Sequence, residues 1–458
     1  MLALFEEVDN MILSPYEEKL LAENLIEILP QPGKIEEIST IESIEVSEIT
    51  LSNGVKVFVK STDFKNDEIV FSAIGKGGVS VYGDVDHYSA SYAGVLVNIM
   101  GIGDFSPSDL RKILAGKSVS VTPNIGTYSQ NIAGFTSPKD LQTTMQLIHL
   151  YFTQPRKDRE LFEVYMNNQK TQLASAQVNP DYQFSKQLNR IIANGNLRAM
   201  SIYDPEDLDK VDMERGLEIY ADRVGNAANF EFFFTGNINL VTFKPLLEQY
   251  IGSLPSDKSN TDQFVDMGIR APRGKTETIE VGIDEKSQVI LYFSGETEYD
   301  RKKASSISYL GEILTIKLIE TLREEIGGVY GVGANGSLGI QPVGNFSFSI
   351  GFPCSPDMVD KLIDAAWAEV RKIQENGPTE EDLNKVKETR RIALEENLKR
   401  NNYWNGQLSA IRTFGIPWEV LLEGRKSIDE MSVERIQNVA KEFLTKENLL
   451  EIRKYPKR

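Results

Sequence analysis

The chain has 458 residues, 41% of them hydrophobic and 26% charged, and a formal net charge of −17 at pH 7. This suits a packed globular protein with room for roughly two to four domains, and it argues against nucleic acid or an anionic membrane surface as a main partner. The single cysteine, Cys354, excludes an intrachain disulfide and a cysteine-rich zinc cluster.

Met1-Leu-Ala-Leu-Phe5 runs straight into Glu6, Glu7 and Asp9, which is neither a signal peptide nor an anchor. No apolar run reaches transmembrane length. Residues 1–45 read as an extension: a helix over Tyr16 to Ile28, then Pro30, Pro32 and Gly33, then an acidic extended stretch. Such a segment suits a linker from something upstream. A first unit over residues 46–256 opens on a hairpin, with Asn53-Gly54 suited to positive φ between two strand-like runs. His87, after Gly83-Asp84-Val85-Asp86, reads as a solvated loop residue rather than part of a metal turn. His149 lies in an apolar-rich helix and reads as structural.

A polar stretch, Ser256 to Asp262, marks the boundary to a second unit over residues 263–458. There, Ile307, Leu310, Leu314, Leu318 and Leu322 recur at steps of three and four, predicting a helix around 304–323. Another helix begins after Pro378, with Thr379 as N-cap and Asp382 three residues on.

The two units are versions of one another. Gly134-Phe135-Thr136-Ser137-Pro138 returns as Gly351-Phe352-Pro353-Cys354-Ser355-Pro356, Asp209 with Glu214-Arg215 returns as Asp429 with Glu434-Arg435, and the strand at Glu68 has a counterpart at Gln288. All three offsets lie at about 220 residues, which points to duplication. Strands followed by runs of helices predict an α+β fold: two tandem domains, each a mostly antiparallel sheet with helices on one side.

Most catalytic equipment is missing. The two histidines lie far apart, so no helix carries two imidazoles one turn apart for a zinc site. Gly116-Lys117-Ser118 ends like a phosphate loop, but Arg111 stands where its first glycine belongs. No Gly-x-Ser-x-Gly elbow is present. What remains is Arg323-Glu-Glu-Ile-Gly-Gly-Val-Tyr330. It offers a forked cation and a phenol on either side of Gly327 and Gly328, glycines that permit close approach of a substrate. The same residues also fit a plain helix end: an arginine at the C-terminal dipole, a glycine cap and a half-buried strand tyrosine.

The duplicated unit, the Thr50-Leu-Ser-Asn-Gly-Val55 opening and the Arg323/Tyr330 element together resemble the pitrilysin/insulinase zinc metallopeptidases over residues 45–458. The resemblance is to their C-terminal, non-zinc half, and it implies the following. Two halves enclose peptide substrates. The other half, in the same precursor or a separate subunit, holds zinc through a His-x-x-Glu-His motif. This half binds no metal, and Gly94, Val97 and Asn98 stand at the lost motif positions. The downstream carboxylate ligand is missing near Leu173 to Ala176. Arg323 and Tyr330 contact substrate and the oxyanion in trans, with Gly327 and Gly328 beside the substrate. Peptide hydrolysis requires assembly, and this chain alone is inactive. Neither nucleic acid nor membrane is expected as a partner. A periplasmic location is favoured, since long bacterial relatives are often found there. A non-catalytic docking subunit of the same fold, or a free-standing peptide-binding module, is the alternative.

Overall fold

In the strand Asn345–Cys354, Phe346, Phe348, Ile350 and Phe352 are buried and the residues between them are more open. That alternation is what a sheet with one face on a core requires. The computed structural model describes residues 24–259 and 263–457, and among them lie twelve strands in two sheets.

The first sheet comprises β1 (Ile35–Ile41), β2 (Val46–Leu51), β3 (Lys56–Ser61), β4 (Ile69–Lys76), β5 (Val119–Ile125), β6 (Ser129–Thr136) and β7 (Phe230–Gly236). Their order is β1-β2-β3-β7-β4-β6-β5. The second sheet comprises β8 (Lys275–Glu280), β9 (Ser287–Glu296), β10 (Gly333–Gly339), β11 (Asn345–Cys354) and β12 (Leu449–Tyr455). Its order, β10-β11-β9-β12-β8, repeats the last five strands of the first. In both, one pair is parallel, β3 with β7 and β8 with β12, and the rest are antiparallel.

Ile69 pairs with Thr136 in the first sheet and Ser287 with Cys354 in the second, so both strands are displaced by 218 residues. The sequence pairing of Glu68 with Gln288 is therefore two residues out of register.

The ten longer helices are α1 (His87–Met100), α2 (Leu141–Thr153), α3 (Arg159–Ala176), α4 (Pro180–Ala193), α5 (Met213–Val224), α6 (Arg301–Leu318), α7 (Val359–Asn376), α8 (Glu380–Asn397), α9 (Asn401–Phe414) and α10 (Val433–Phe443). Helices α1, α2 and α5 close the inner face of the first sheet, with Ala93, Val97, Met145, Ile148 and Ile219 meeting Phe71, Phe232 and Phe234. Helices α6, α7 and α10 do the same for the second sheet. Thr379 caps α8 by accepting from the Asp382 N–H at 3.1 Å, as the sequence predicts.

The outer faces are covered by exchange. Helix α9, from the second half of the chain, lays Trp404, Leu408 and Ile411 on Val46, Phe58 and Phe233 of the first sheet. Helix α4, from the first half, lays Phe184 and Leu188 on Ile279, Leu450 and Ile452 of the second. Asn405 fixes α9 in place: it accepts from the Ser72 hydroxyl at 2.8 Å and donates to the Phe233 carbonyl at 3.1 Å. Helices therefore pack on both faces of each sheet, the second layer coming from the opposite unit.

Three local expectations change. Residues 35–41, expected in the extension, form edge strand β1. Of the helix expected over Tyr16 to Ile28, residues 16–23 lie outside the described residues and 24–28 are not helical. His87 is not in a solvated loop: it opens α1, is buried, and sits 3.2 Å from the Tyr203 hydroxyl. Part of the expected boundary, residues 260–262, also lies outside the described residues.

Candidate functional site

Helix α1 passes close to β5, and Gly94 is what permits it. A Cβ on Gly94 would lie 3.1 Å from the Ile125 nitrogen. One turn on, the Asn98 side-chain amide donates to the carbonyls of Gly94 (3.2 Å) and Pro123 (3.3 Å). Val97 between them is fully buried in the first core. These three positions are thus a packing contact and a hydrogen bond to a strand, and none offers a metal donor of the kind zinc takes.

The second unit repeats the arrangement. A Cβ on Gly311 would lie 3.1 Å from the Ala334 carbonyl oxygen of β10. The Thr315 hydroxyl, one turn on, accepts from the Ala334 N–H at 2.9 Å. This second pair was legible in the sequence as a glycine followed four residues later by a hydrogen-bonding side chain, in the helix after the unit's opening strands. Among the described residues, no group of three or more His, Cys, Asp or Glu side chains is placed to hold a metal.

Arg323 and Tyr330 belong to the segment that leaves α6. The helix widens at its end into a π-helical turn, Ile319–Glu325, a form found often at functional sites. Leu322 of this turn is fully buried in the second core. Arg323, next to it, is exposed. Gly327 takes φ of 66°, and the Gly328 N–H donates back to the Leu322 carbonyl at 3.0 Å. That six-residue closure is a glycine helix cap. Gly328 sits against α7, where a Cβ would come within 2.8 Å of Leu362 and 3.1 Å of Met358. Val329 then anchors the chain in the core, and Tyr330 stands 96% exposed.

The plain helix end is therefore present in its glycine cap but not in its tyrosine, which is not half-buried. Neither the guanidinium nor the phenol has a hydrogen-bond or ion-pair partner among the described residues. Burying Leu322 and Val329 while leaving Arg323 and Tyr330 bare gives a segment anchored at two points that presents a cation and a hydroxyl to whatever lies outside. Gly327, Gly331 and Gly333 have open space where a Cβ would stand, so the backbone here is accessible to an approaching chain. Gly328 is committed to packing against α7 and is not part of that open surface.

Residues 217–390 match the family model described as the peptidase M16 inactive domain. Over those residues the chain is similar to an M16 inactive domain. It is 24% identical over 444 residues to a zinc protease PQQL-like protein of Arabidopsis thaliana, covering 92% of this chain and 44% of that one. The structure of the periplasmic protease PqqL from Escherichia coli superposes with a TM-score of 0.83 at 18% identity, covering all of this chain and 50% of that one. The first half of that same protease superposes with a TM-score of 0.70 at 13% identity, covering 93% of each chain. The chain spans less than half the length of this curated relative. The kinship with the non-zinc half of the pitrilysin and insulinase peptidases, expected from the residues, is the one these matches show. No described helix is long and apolar enough to cross a membrane.

Proposed function

We propose that this chain is the metal-free half of a zinc endopeptidase and closes its substrate chamber. In this reading residues 46–256, with the edge strand Ile35–Ile41, and residues 263–458 are its two domains. The observation that carries it is the bare Arg323 and Tyr330 on a segment anchored by Leu322 and Val329, in a chain whose positions for the lost zinc motif are taken up by packing. That both halves of the E. coli protease resemble this fold supports a partner of the same architecture.

In the assembled site, zinc on the partner half supplies the Lewis acid. The Arg323 fork holds a peptide carbonyl or carboxylate of the substrate. The Tyr330 hydroxyl donates to the oxygen that gains charge when the scissile amide is attacked. One such donor contributes about 3–4 kcal/mol of transition-state stabilisation. A periplasmic location follows the description of the E. coli protease.

The test is assembly with a zinc-bearing half and a quenched fluorescent peptide. The chain alone shows no turnover, the mixture does, and Arg323→Ala and Tyr330→Phe lower turnover without weakening assembly. Zinc at one equivalent with peptidase activity in the chain alone overturns the reading. Full activity of both variants points instead to a docking subunit.

A further inference from the structure

Glu369 is a carboxylate on the core face of α7, 5% exposed, between Trp367 and Val370. Buried carboxylates are costly, and an apolar residue of similar size is usually as good for stability. Its Oε1 accepts from the Thr321 hydroxyl at 2.9 Å and from the Lys372 ammonium at 2.7 Å. Thr321 lies in the π turn, two residues before Arg323, and its carbonyl accepts from the Ile326 N–H at 3.0 Å. The same helix α7 meets the segment again at Gly328, through Leu362.

The first unit supplies a comparison. At the displacement of 218 residues set by the strand ladders, Glu369 corresponds to Tyr151 on α2, which is also buried. The first unit has no arginine turn, and it fills this place with an aromatic ring. The unit that presents Arg323 fills it with a carboxylate that reaches the arginine's own turn.

We infer that Glu369 and Thr321 are positioning residues: their hydrogen bond sets the π turn and so aims Arg323 at the substrate. This rests on the proposed role of Arg323. Leu322 alone secures the turn by burial but leaves its register along the helix axis free to slip. The Thr321–Glu369 bond fixes that register from the side, and the Gly328–Leu322 closure fixes it from beyond.

The experiment is a double-mutant cycle in the chain assembled with a zinc-bearing half, using a quenched fluorescent peptide. Thr321→Val removes the donor at constant shape, and Thr321→Ser keeps it. Thr321→Val is expected to lower kcat/KM about tenfold, the size of a misaligned contact, with Thr321→Ser near wild type. In the Arg323→Ala background, Thr321→Val is expected to have no further effect. In the isolated chain, amide exchange at Ile326 and Gly328 is expected to quicken in Thr321→Val and not in Thr321→Ser. Additive losses in the cycle, or a Thr321→Val variant equal to wild type, overturn this inference while leaving the role of Arg323 intact. Arg323→Ala with full activity overturns both. Unchanged amide exchange at 326 and 328 overturns the inference without any partner.

Discussion

Restoring the lost zinc motif tests how fully packing has taken over α1. The perturbation is Gly94→His with Val97→Glu and Asn98→His. A side chain at residue 94 has its Cβ 3.1 Å from the Ile125 nitrogen and 3.5 Å from the Asn124 Cα, both backbone atoms of β5, so helix and strand must part. Val97 has no exposed surface, and a carboxylate there is buried without a partner, at a cost of several kcal/mol. Losing the Asn98 bond to the Pro123 carbonyl removes about 1 kcal/mol more. The sum is on the order of 5 kcal/mol or more, which rivals the whole stability of a typical domain. Urea denaturation followed by tryptophan fluorescence reads the loss, and metal analysis of the folded fraction reads zinc. A triple variant with the wild-type midpoint and one equivalent of bound zinc refutes the reasoning. Asn98→His alone, at an exposed position, loses only about 1 kcal/mol.

Trp404→Ala removes the largest side chain that α9 places on the first sheet, and a loss of about 3–5 kcal/mol in calorimetry is expected. Arg323 and Tyr330 are exposed and have no hydrogen-bond or ion-pair partner among the described residues, so Arg323→Ala and Tyr330→Phe each shift stability by less than about 0.5 kcal/mol by the same measurement. The chain's two histidines give it a pH dependence. Burial holds the imidazoles of His87 and His149 below their ordinary range. Depressed folded-state pKa values add stability above the unfolded value near 6.5, and that stability is lost as pH falls from there through the folded values. The urea midpoint therefore falls between pH 7 and pH 5, and replacing both histidines by phenylalanine flattens the dependence; an equal fall in that variant contradicts it.

Local features of this fold were legible in the sequence, and long-range ones were not. The turn between β2 and β3, where Gly54 but not Asn53 takes a positive φ, the Thr379 cap and the α6 face from Ile307 to Leu322 depend on neighbours within a few residues. The duplication was visible as well, though its register was not, because short apolar strands align equally well two residues apart. The exchange of α4 and α9 was hidden. The spacing of Trp404, Leu408 and Ile411 shows that α9 has an apolar face, but nothing local says that the face meets strands more than 150 residues earlier. Strand β1 was missed because its isoleucines, Ile35, Ile38 and Ile41, recur at three rather than two, as an edge strand with little burial allows. At the site, the sequence placed Arg323 and Tyr330 on either side of two glycines but did not separate their jobs: Gly327 turns the chain, while Gly328 packs on α7. The π turn was also invisible, since steps of three and four fit an α-helix to its end.

The most direct test of the account is the turnover number of Tyr330→Phe in the assembled enzyme, because that change deletes one oxygen from a side chain with no polar partner among the described residues. Reasoning from a single oxyanion donor, kcat falls by about 10²–10³-fold while complex formation is unchanged. A Tyr330→Phe complex that turns over at the wild-type rate contradicts the claim that this half reaches into its partner's active site.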